Sequence, residues 1–597
     1  MSSYANIDAF VTTHLAVDLT ADFAARTLSG TAELSFERRD PRATEIVLDT
    51  RDLQIRHVEG SADRGEWAEA PYRLDPPTTA FGSALRIRVP TDCVRVRVTY
   101  ASSPSAKGLQ WLTPAQTAGK KHPFLFSQAQ AIQARSFIPL QDTPAIRTTY
   151  EATIRVPADL IAVMAAERQT STSGSGVFQF HMPQAIPSYL IALAVGDLKF
   201  TAMSERTGVW AEPSMVAATA REFEDTEQMM QITEDLYGPY RWGRYDLLVL
   251  PPSFPFGGME NPRLTFATPT VIVGDKSLVS LVAHELAHSW SGNLVTNATW
   301  SDFWLNEGFT TYLERRIVEA VYGKRLADME RILGLRELAE ARANLTVPRD
   351  RTLLPDLDGR DPDDAYSFVP YAMGALFLTF LETQFGRETF DRFLRRWFDE
   401  HAFQSVTTAQ FLEFLNVHLL STKPDAVSAA QIQEWLHTES IPAFAVMPMS
   451  DPLTKVEEAR DAWLQGGSIE ALVHASSTWS TQERVHFIDS LPRILDADQL
   501  RALDRQMKLT DSPNAEIACA WFRLAIANDY VDAFPAMERY MIRIGRRKFI
   551  IPLYRDLAKT QPGKALAMSI YAKAREGYHP LAQTTIDGLL GDAGTAL

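Results

Sequence analysis

The pattern of hydrophobic and polar residues changes twice along the chain. Over residues 13 to about 195, apolar and polar positions alternate, most regularly in residues 94–100, and this alternation predicts half-buried strands. From about residue 201 to residue 440, the apolar spacing lengthens to that of helices, after one strand-like run at residues 245–250. Beyond Pro452 the pattern is almost wholly helical.

These changes predict a multidomain α+β protein. We expect an all-β domain over residues 1–198, a mixed central domain over residues 199–440, a linker over residues 441–453 and an α-helical domain over residues 454–597. The linker is predicted because its prolines are incompatible with a regular helix. The helix pairs of the last part suggest a small right-handed solenoid of the armadillo or HEAT kind.

Composition and charge narrow the class of protein. Hydrophobic residues make up 46% and charged residues 22%, which are ordinary values for a globular protein and exclude a disordered or fibrous chain. The formal charge of −15 argues against nucleic acid as a partner. Cys93 and Cys519 indicate neither a disulfide framework nor a thiolate metal site. With no signal peptide and no apolar run of membrane-spanning length, we expect a cytoplasmic monomer without a membrane partner.

Residues 284–288 carry the first chemical signal, His-Glu-Leu-Ala-His, within a segment of helical apolar spacing. Positions four apart lie on the same face of a helix, so the imidazoles of His284 and His288 can reach one ion. Glu285 projects beside them, where a carboxylate can take a proton from a metal-activated water. The pattern therefore predicts a zinc site with Glu285 as the general base.

A catalytic zinc keeps three protein ligands and leaves a fourth position for water, so a third ligand is required. Glu307 follows His288 by nineteen residues, at the start of the next predicted helix, and can return to the same metal. The alternative is that Glu307 is a surface carboxylate. Glu314, seven residues further on the same helix face, either holds the free ring nitrogen of a ligand histidine or is solvated.

The third signal is the segment Gly-Gly-Met-Glu-Asn, which comprises Gly257, Gly258, Met259, Glu260 and Asn261. Two adjacent glycines allow an extended substrate to approach the backbone closely. Glu260 supplies a negative charge that can anchor a free α-ammonium group. Taken alone, such a pentapeptide is more often a turn.

Together these segments resemble the M1 family of zinc aminopeptidases, the gluzincins. That family is marked by His-Glu-x-x-His with a glutamate nineteen residues on, and by a Gly-x-Met-Glu-Asn loop. Similarity to its leukotriene-A(4) hydrolase branch extends over nearly the whole chain and is strongest at residues 127–132, 250–261, 292–297, 361–371 and 545–549. It implies a saddle-like β domain, a thermolysin-like catalytic domain and a helical domain that closes a cleft between them.

The resemblance also implies roles for single residues along that cleft. Gln128 and Glu260 would bind the free amino group of the substrate, beside the wall formed by the glycine segment. Tyr371 would donate its hydroxyl to the developing oxyanion, with Tyr366 as an auxiliary nearby. The sequence departs from the branch at Phe256, where the branch has a tyrosine.

Three further residues take roles from the resemblance at the other end of the cleft. Arg546 would bind the carboxylate of a short peptide, and Lys548 would lie beside it. Asp363 matches the position that directs water when the branch opens a lipid epoxide.

We therefore expect an enzyme with one zinc per chain that removes the first residue from short peptides, tripeptides above all. One alternative is an epoxide hydrolase whose turnover depends on Asp363. Another is a catalytically silent scaffold that binds peptides in the cleft. Because the metal ligands, the base and the oxyanion tyrosine are all present, the sequence favours the peptidase.

Overall fold

The computed structural model describes residues 2–62, 65–169 and 175–591, and its first part is built from sheets. Over the described residues the largest sheet has eight strands, in the order Glu167–Arg168, Val177–Ile186, Thr148–Arg155, Phe10–Asp22, Thr27–Arg38, Cys93–Ala101, Gln54–Ala62 and Ala68–Glu69. Beside it are a four-stranded sheet and a three-stranded sheet, which comprise Ile161–Met164, Leu193–Gly196, Phe124–Ser127 and Leu109–Leu112, and Glu45–Thr50, Ser83–Arg88 and Tyr72–Leu74. The predicted all-β character of this part is confirmed.

The strand Cys93–Ala101 shows how the alternating sequence forms the largest sheet. Val96, Val98 and Tyr100 are fully buried on one face. On the other face, Arg95 and Arg97 form ion pairs across the sheet with glutamates of neighbouring strands, at 3.0 Å each. The period-two pattern therefore separates a core face from a charged face, as expected for a sheet with one side packed.

The central part contains more sheet than the sequence predicts. Its five strands lie in the order Lys199–Ala202, Thr207–Ala211, Tyr245–Val249, Leu264–Ala267 and Gly258–Met259. Of these, the sequence pattern identifies one, at residues 245–250. The others are five residues or shorter and too short for an alternating pattern to stand out. The edge strand Gly258–Met259 matters most for the site. Its antiparallel pairing with Leu264–Ala267 fixes the position of the next residue, Glu260.

Helices surround this sheet and form the rest of the central part. Their bounds are Val216–Glu222, Thr226–Tyr237, Ser280–Ala287, Trp304–Tyr322, Lys324–Asn344, Val369–Phe385, Arg387–Glu400, Thr408–His418 and Ala429–His437, and a short parallel pair of strands, Val295–Asn297 and Gln404–Val406, lies between them. One continuous hydrophobic core runs from Phe10 to Leu436 and joins the first part to the central part. A boundary near residue 198 stays a prediction.

The C-terminal part is helical and has its own core, from Val456 to Leu590. The helices are Asp451–Leu464, Ile469–Ser476, Thr481–Asp489, Ala497–Met507, Ala515–Ala527, Phe534–Arg543, Arg547–Leu557, Gln561–Ala574 and Pro580–Leu590. The first of these helices begins at Asp451, inside the predicted linker, and the bounds of the linker stay a prediction. Pro452 lies in its first turn, where a missing N–H costs no intrahelical bond. Within the described ranges, no helix combines the length and apolar character of a membrane span.

Candidate active site

Three side chains from two neighbouring helices converge to form one cluster. His284 lies on the helix Ser280–Ala287, His288 caps its C-terminus, and Glu307 lies in the first turn of Trp304–Tyr322. The Nε2 atoms of the two histidines are 3.2 Å apart, and Oε2 of Glu307 lies 3.3 Å from His284 and 3.5 Å from His288. The i, i+4 spacing and the return of Glu307 therefore give the cluster that the sequence predicts.

The donor set fits a zinc ion. Oε2 of Glu307 is buried and accepts no hydrogen bond, although an unsatisfied carboxylate oxygen is costly away from water. The two Nε2 atoms face it, and nitrogen and oxygen atoms that converge in this way suit a small divalent cation. Two histidines and one glutamate are the ligand set of an open, catalytic zinc site rather than a closed structural one.

A second layer of contacts orients both imidazoles toward that position. Nδ1 of His284 lies 3.0 Å from a carboxylate oxygen of Glu314, which is in turn bound by Arg315. Nδ1 of His288 donates to the carbonyl oxygen of Ser291 at 3.0 Å and lies 3.1 Å from the hydroxyl of Thr310. Both Nδ1 atoms are occupied, so both Nε2 atoms are left for the metal. Of the two alternatives for Glu314, the structure has the contact with a histidine.

Glu285 is buried beside the cluster, where it packs against the backbone of Gly258. A side chain at position 258 would overlap the carboxyl group of Glu285, so a larger residue there would displace that carboxylate. Burial raises the pKa of Glu285 to about 8, and a divalent cation on the neighbouring ligands would oppose that rise. Gly257 likewise leaves space for the guanidinium group of Arg546. The sequence predicts the glycines for a different reason, the approach of a substrate to the backbone.

Glu260 lies beside the metal-ligand cluster, with two glutamines near it. One carboxylate oxygen of Glu260 lies close to Glu285 and His288, within a group whose ligand atoms are all within 4.8 Å of one another. Nε2 of Gln130 lies 3.4 Å from Glu260, and Nε2 of Gln128 contacts the sulfur of Met259 at 3.2 Å. Oε1 of Gln128 is buried without a donor, so it is available to an ammonium group.

Tyr371 lies at the start of the helix Val369–Phe385. Its ring stacks on His284 with centroids 6.0 Å apart, and on Phe368 at 5.3 Å. Its hydroxyl is 3.1 Å from that of Tyr366. Burial raises the pKa of Tyr371 well above its usual range, so the hydroxyl keeps its proton and can donate it in a hydrogen bond at neutral pH.

The two cationic residues of the C-terminal part that the sequence singles out, Arg546 and Lys548, have different surroundings. Arg546 is 9% exposed, and its guanidinium lies against Gly257 and donates to the hydroxyl of Thr270 at 3.3 Å. Lys548 is exposed and lies 3.0 Å from each of two carboxylates, Glu516 and Glu337. The positive charge of Lys548 is therefore compensated within the protein, whereas Arg546 lies farther from Glu516, at 3.9 Å, and faces the glycine segment.

Asp363 lies away from the cluster, on the short turn Pro362–Ala365. It accepts a hydrogen bond from Nε2 of Gln133 at 2.9 Å. Burial raises its pKa to about 6, so most of it is ionised at neutral pH. It lines a narrow pocket together with Gln130, Phe256 and Tyr366.

Sequence reasoning missed several residues that hold this site together. Gln130 stands two positions after Gln128, within the stretch 127–132 where the resemblance is strongest, but no role is predicted for it. Three others contact a predicted site residue that is distant in sequence, so no local pattern predicts them. They are Thr310 at His288, Thr270 at Arg546 and Glu516 at Lys548. Asn293 donates to the carbonyl oxygen of Glu260 at 2.6 Å, from the loop that follows the histidine helix.

Comparisons with known proteins cover all three parts of the chain. Residues 11–190 match the Peptidase M1 N-terminal domain, residues 221–435 match the Peptidase family M1 domain, and residues 479–590 match the C-terminal domain of leukotriene A4 hydrolase. The chain is 37% identical to leukotriene A-4 hydrolase of Xenopus laevis, over 98% of each chain. It is 36% identical to aminopeptidase B of Mus musculus, over 97% of this chain and 94% of that one.

A solved structure extends the likeness to the arrangement of the parts. The structure of yeast LTA4 hydrolase in complex with bestatin has a TM-score of 0.91 and 31% sequence identity, and the match covers 99% of this chain and 97% of that chain. The order of a β part, a central metal-binding part and a helical part is therefore common to both.

Proposed function

The chain belongs to peptidase family M1 and is a zinc-dependent aminopeptidase, and we propose that it removes the first residue from short peptides, tripeptides above all. One observation carries the proposal. The carboxylate of Glu260 is held at a fixed position beside the residues that bind and serve the metal. A free amino group bound there brings only the first peptide bond to the metal, so the geometry supports an exopeptidase.

The chemistry divides among residues of this chain. His284, His288 and Glu307 would hold zinc, which when bound activates a water molecule and polarises the carbonyl of the substrate. Glu285 takes the proton of the attacking water and then delivers it to the leaving amine. The hydroxyl of Tyr371 donates a hydrogen bond to the carbonyl oxygen as negative charge develops on it.

Blocking the amino group tests this proposal directly. We expect Ala-Ala-Ala to release free alanine from its amino end, whereas the N-acetylated peptide should be cleaved at least about a hundredfold more slowly, because it lacks the charge that Glu260 binds. In Glu260→Gln the preference for the free peptide should shrink, with zinc still bound. Product analysis by mass spectrometry gives both rates. Comparable cleavage of the two peptides, or internal cleavage, would rule out this anchor.

The preference for tripeptides is supported by Arg546. Its guanidinium is almost completely buried against the glycine segment and is poised to form a charge-assisted hydrogen bond with a terminal carboxylate. A carboxylate can meet it only if the peptide has the length of the cleft. Lys548 has a weaker claim to this role, since two carboxylates already neutralise it.

Replacing Arg546 by alanine should lower kcat/KM for a free-acid tripeptide by about tenfold to a hundredfold. The loss should be much smaller for the same tripeptide with an amidated C-terminus. Arg543→Ala is the matched control, because Arg543 is exposed at the end of the preceding helix. Steady-state kinetics on both peptides measure the effect. Equal losses on the acid and the amide would mean that Arg546 does not bind the carboxylate.

A cytoplasmic location and a monomeric state are part of the proposal. Cys93 and Cys519 are both buried and unpaired, which is compatible with a reducing compartment. The opening of a lipid epoxide stays a prediction as a second activity. It is supported by the name of the Xenopus relative and by the aromatic pocket beside Asp363.

A further inference from the structure

Arg547 lies between the two cationic residues that the sequence singles out, and its surroundings differ from theirs. It is the first residue of the helix Arg547–Leu557, and its backbone N–H donates to the carbonyl oxygen of Pro255 at 2.9 Å. The guanidinium carbon lies 6.0 Å from the ring centre of Phe256 and 5.8 Å from that of Tyr366. The side chain therefore contacts two aromatic rings beside the cleft.

The charge of Arg547 has no carboxylate partner among the described residues. Its one side-chain hydrogen bond there goes to the hydroxyl of Thr585, at 3.2 Å, and its Nε atom is buried without an acceptor. A helix N-terminus also disfavours a positive side chain. The guanidinium of Arg547 therefore has no direct ion pair in the described part of the chain, and its charge acts on groups beyond hydrogen-bonding distance.

The two aromatic rings form part of a pocket next to the amino anchor. Phe256 and Tyr366 line it together with Gln130, Trp300, Phe303 and Asp363. Gln130 also contacts Glu260, which binds the substrate's amino group in the proposed function. This pocket is therefore the place for the side chain of the first residue.

Charges of both signs act on that pocket. Two carboxylates line it: Asp350 is paired with Arg360 at 2.8 Å, whereas Asp363 is partly exposed and attracts a cationic side chain. Arg547 contacts two walls of the pocket without lining it, and acts on its contents through its field. Its proximity is also reflected in the pKa of Asp363, which burial raises and the Arg547 charge lowers.

We propose that Arg547 is a specificity-determining residue, which offsets the charge of Asp363 and so directs the enzyme toward neutral first residues at the expense of arginine and lysine. The inference rests on the proposed function, since it assumes that Glu260 fixes the amino group. Without the Arg547 charge, the attraction of Asp363 for a cationic side chain is less opposed, and cationic first residues gain. A unit charge across a partly solvated cleft changes a binding constant by roughly fivefold to tenfold.

A matched pair of substrates isolates this effect. Arginine and citrulline 4-nitroanilides have nearly the same shape and differ in charge, and the ratio of their kcat/KM values does not depend on the fraction of active enzyme. We expect this arginine-to-citrulline ratio to rise about fivefold to tenfold in Arg547→Gln and in Arg547→Met. It should stay near the wild-type value in Arg547→Lys, which keeps the charge, and in Arg543→Gln, which removes an exposed charge from the preceding helix.

Two outcomes would overturn the inference. The first is an unchanged ratio in both neutral variants, including a fall of both rates by the same factor, which is the result of a purely structural contact with Phe256 and Tyr366. The second is an equal rise in Arg547→Lys. Failure of the proposed function looks different, because then wild-type enzyme would hydrolyse N-acetylated substrates as fast as free ones.

Discussion

Glu285→Gln is expected to lower kcat by at least about a hundredfold while the protein still binds zinc. Glutamine keeps the shape of the side chain that packs against Gly258, so the metal ligands and the glycine segment stay in place. It removes the only function that the mechanism asks of Glu285, which is to accept a proton from water and pass it to the leaving amine. The measurement is steady-state turnover of an alanyl substrate, with zinc content determined on the same sample.

Glu413→Gln is the matched control for this variant. Glu413 is exposed on the helix Thr408–His418, far from the cluster in sequence, and its replacement should leave turnover unchanged. Glu285→Gln with near-normal turnover would exclude Glu285 as the base. Loss of zinc in that variant would instead assign Glu285 to metal binding.

Tyr371→Phe is expected to lower kcat by about a hundredfold to a thousandfold, the usual cost of losing one donor to an oxyanion. The ring stacks on His284 and Phe368, and phenylalanine preserves both contacts. The change therefore removes the hydroxyl alone. KM should move much less than kcat, because the hydrogen bond strengthens as charge develops on the carbonyl oxygen.

Tyr366→Phe distinguishes the role of the Tyr366 hydroxyl from that of the Tyr371 hydroxyl, which lies 3.1 Å away. If Tyr366 only supports its neighbour, its loss should cost less than about tenfold. Equal losses in the two variants would assign the donor role to the pair, and a larger loss in Tyr366→Phe would transfer the role to Tyr366.

The metal cluster could be predicted from the sequence because its geometry is local. The i, i+4 spacing of His284 and His288 fixes two ligands within one helical turn, and Glu307 starts the helix that follows. Helix geometry fixes the backbone positions of the ligands within each helix, so the cluster depends on few long-range contacts. The alternation that predicts the first sheets is equally local.

The rest of the site depends on contacts between residues that are distant in sequence, which no local pattern predicts. The edge strand Gly258–Met259 has two residues, and its place is set by pairing with Leu264–Ala267. Glycine at positions 257 and 258 was expected to admit a substrate, but side chains of this chain, Glu285 and Arg546, approach there. Sequence reasoning could identify these glycines without the partners that require them.

The basic segment shows the same limit for charge. The sequence identifies Arg546 and Lys548 by resemblance and treats them alike. In the structure, carboxylates from two different helices neutralise Lys548, whereas Arg547 between them has no carboxylate partner within the described residues. Which of three adjacent cations is free to act on a substrate is decided by residues more than thirty positions away.

Zinc titration of the metal-free protein tests the central claim most directly. After removal of metal with a chelator, zinc is added back in steps, and bound zinc and aminopeptidase activity are measured at each step. The account predicts that both rise together and reach a plateau at about one zinc per chain, and that Glu307→Ala binds zinc weakly and stays inactive. Full activity in protein that contains no transition metal would contradict it.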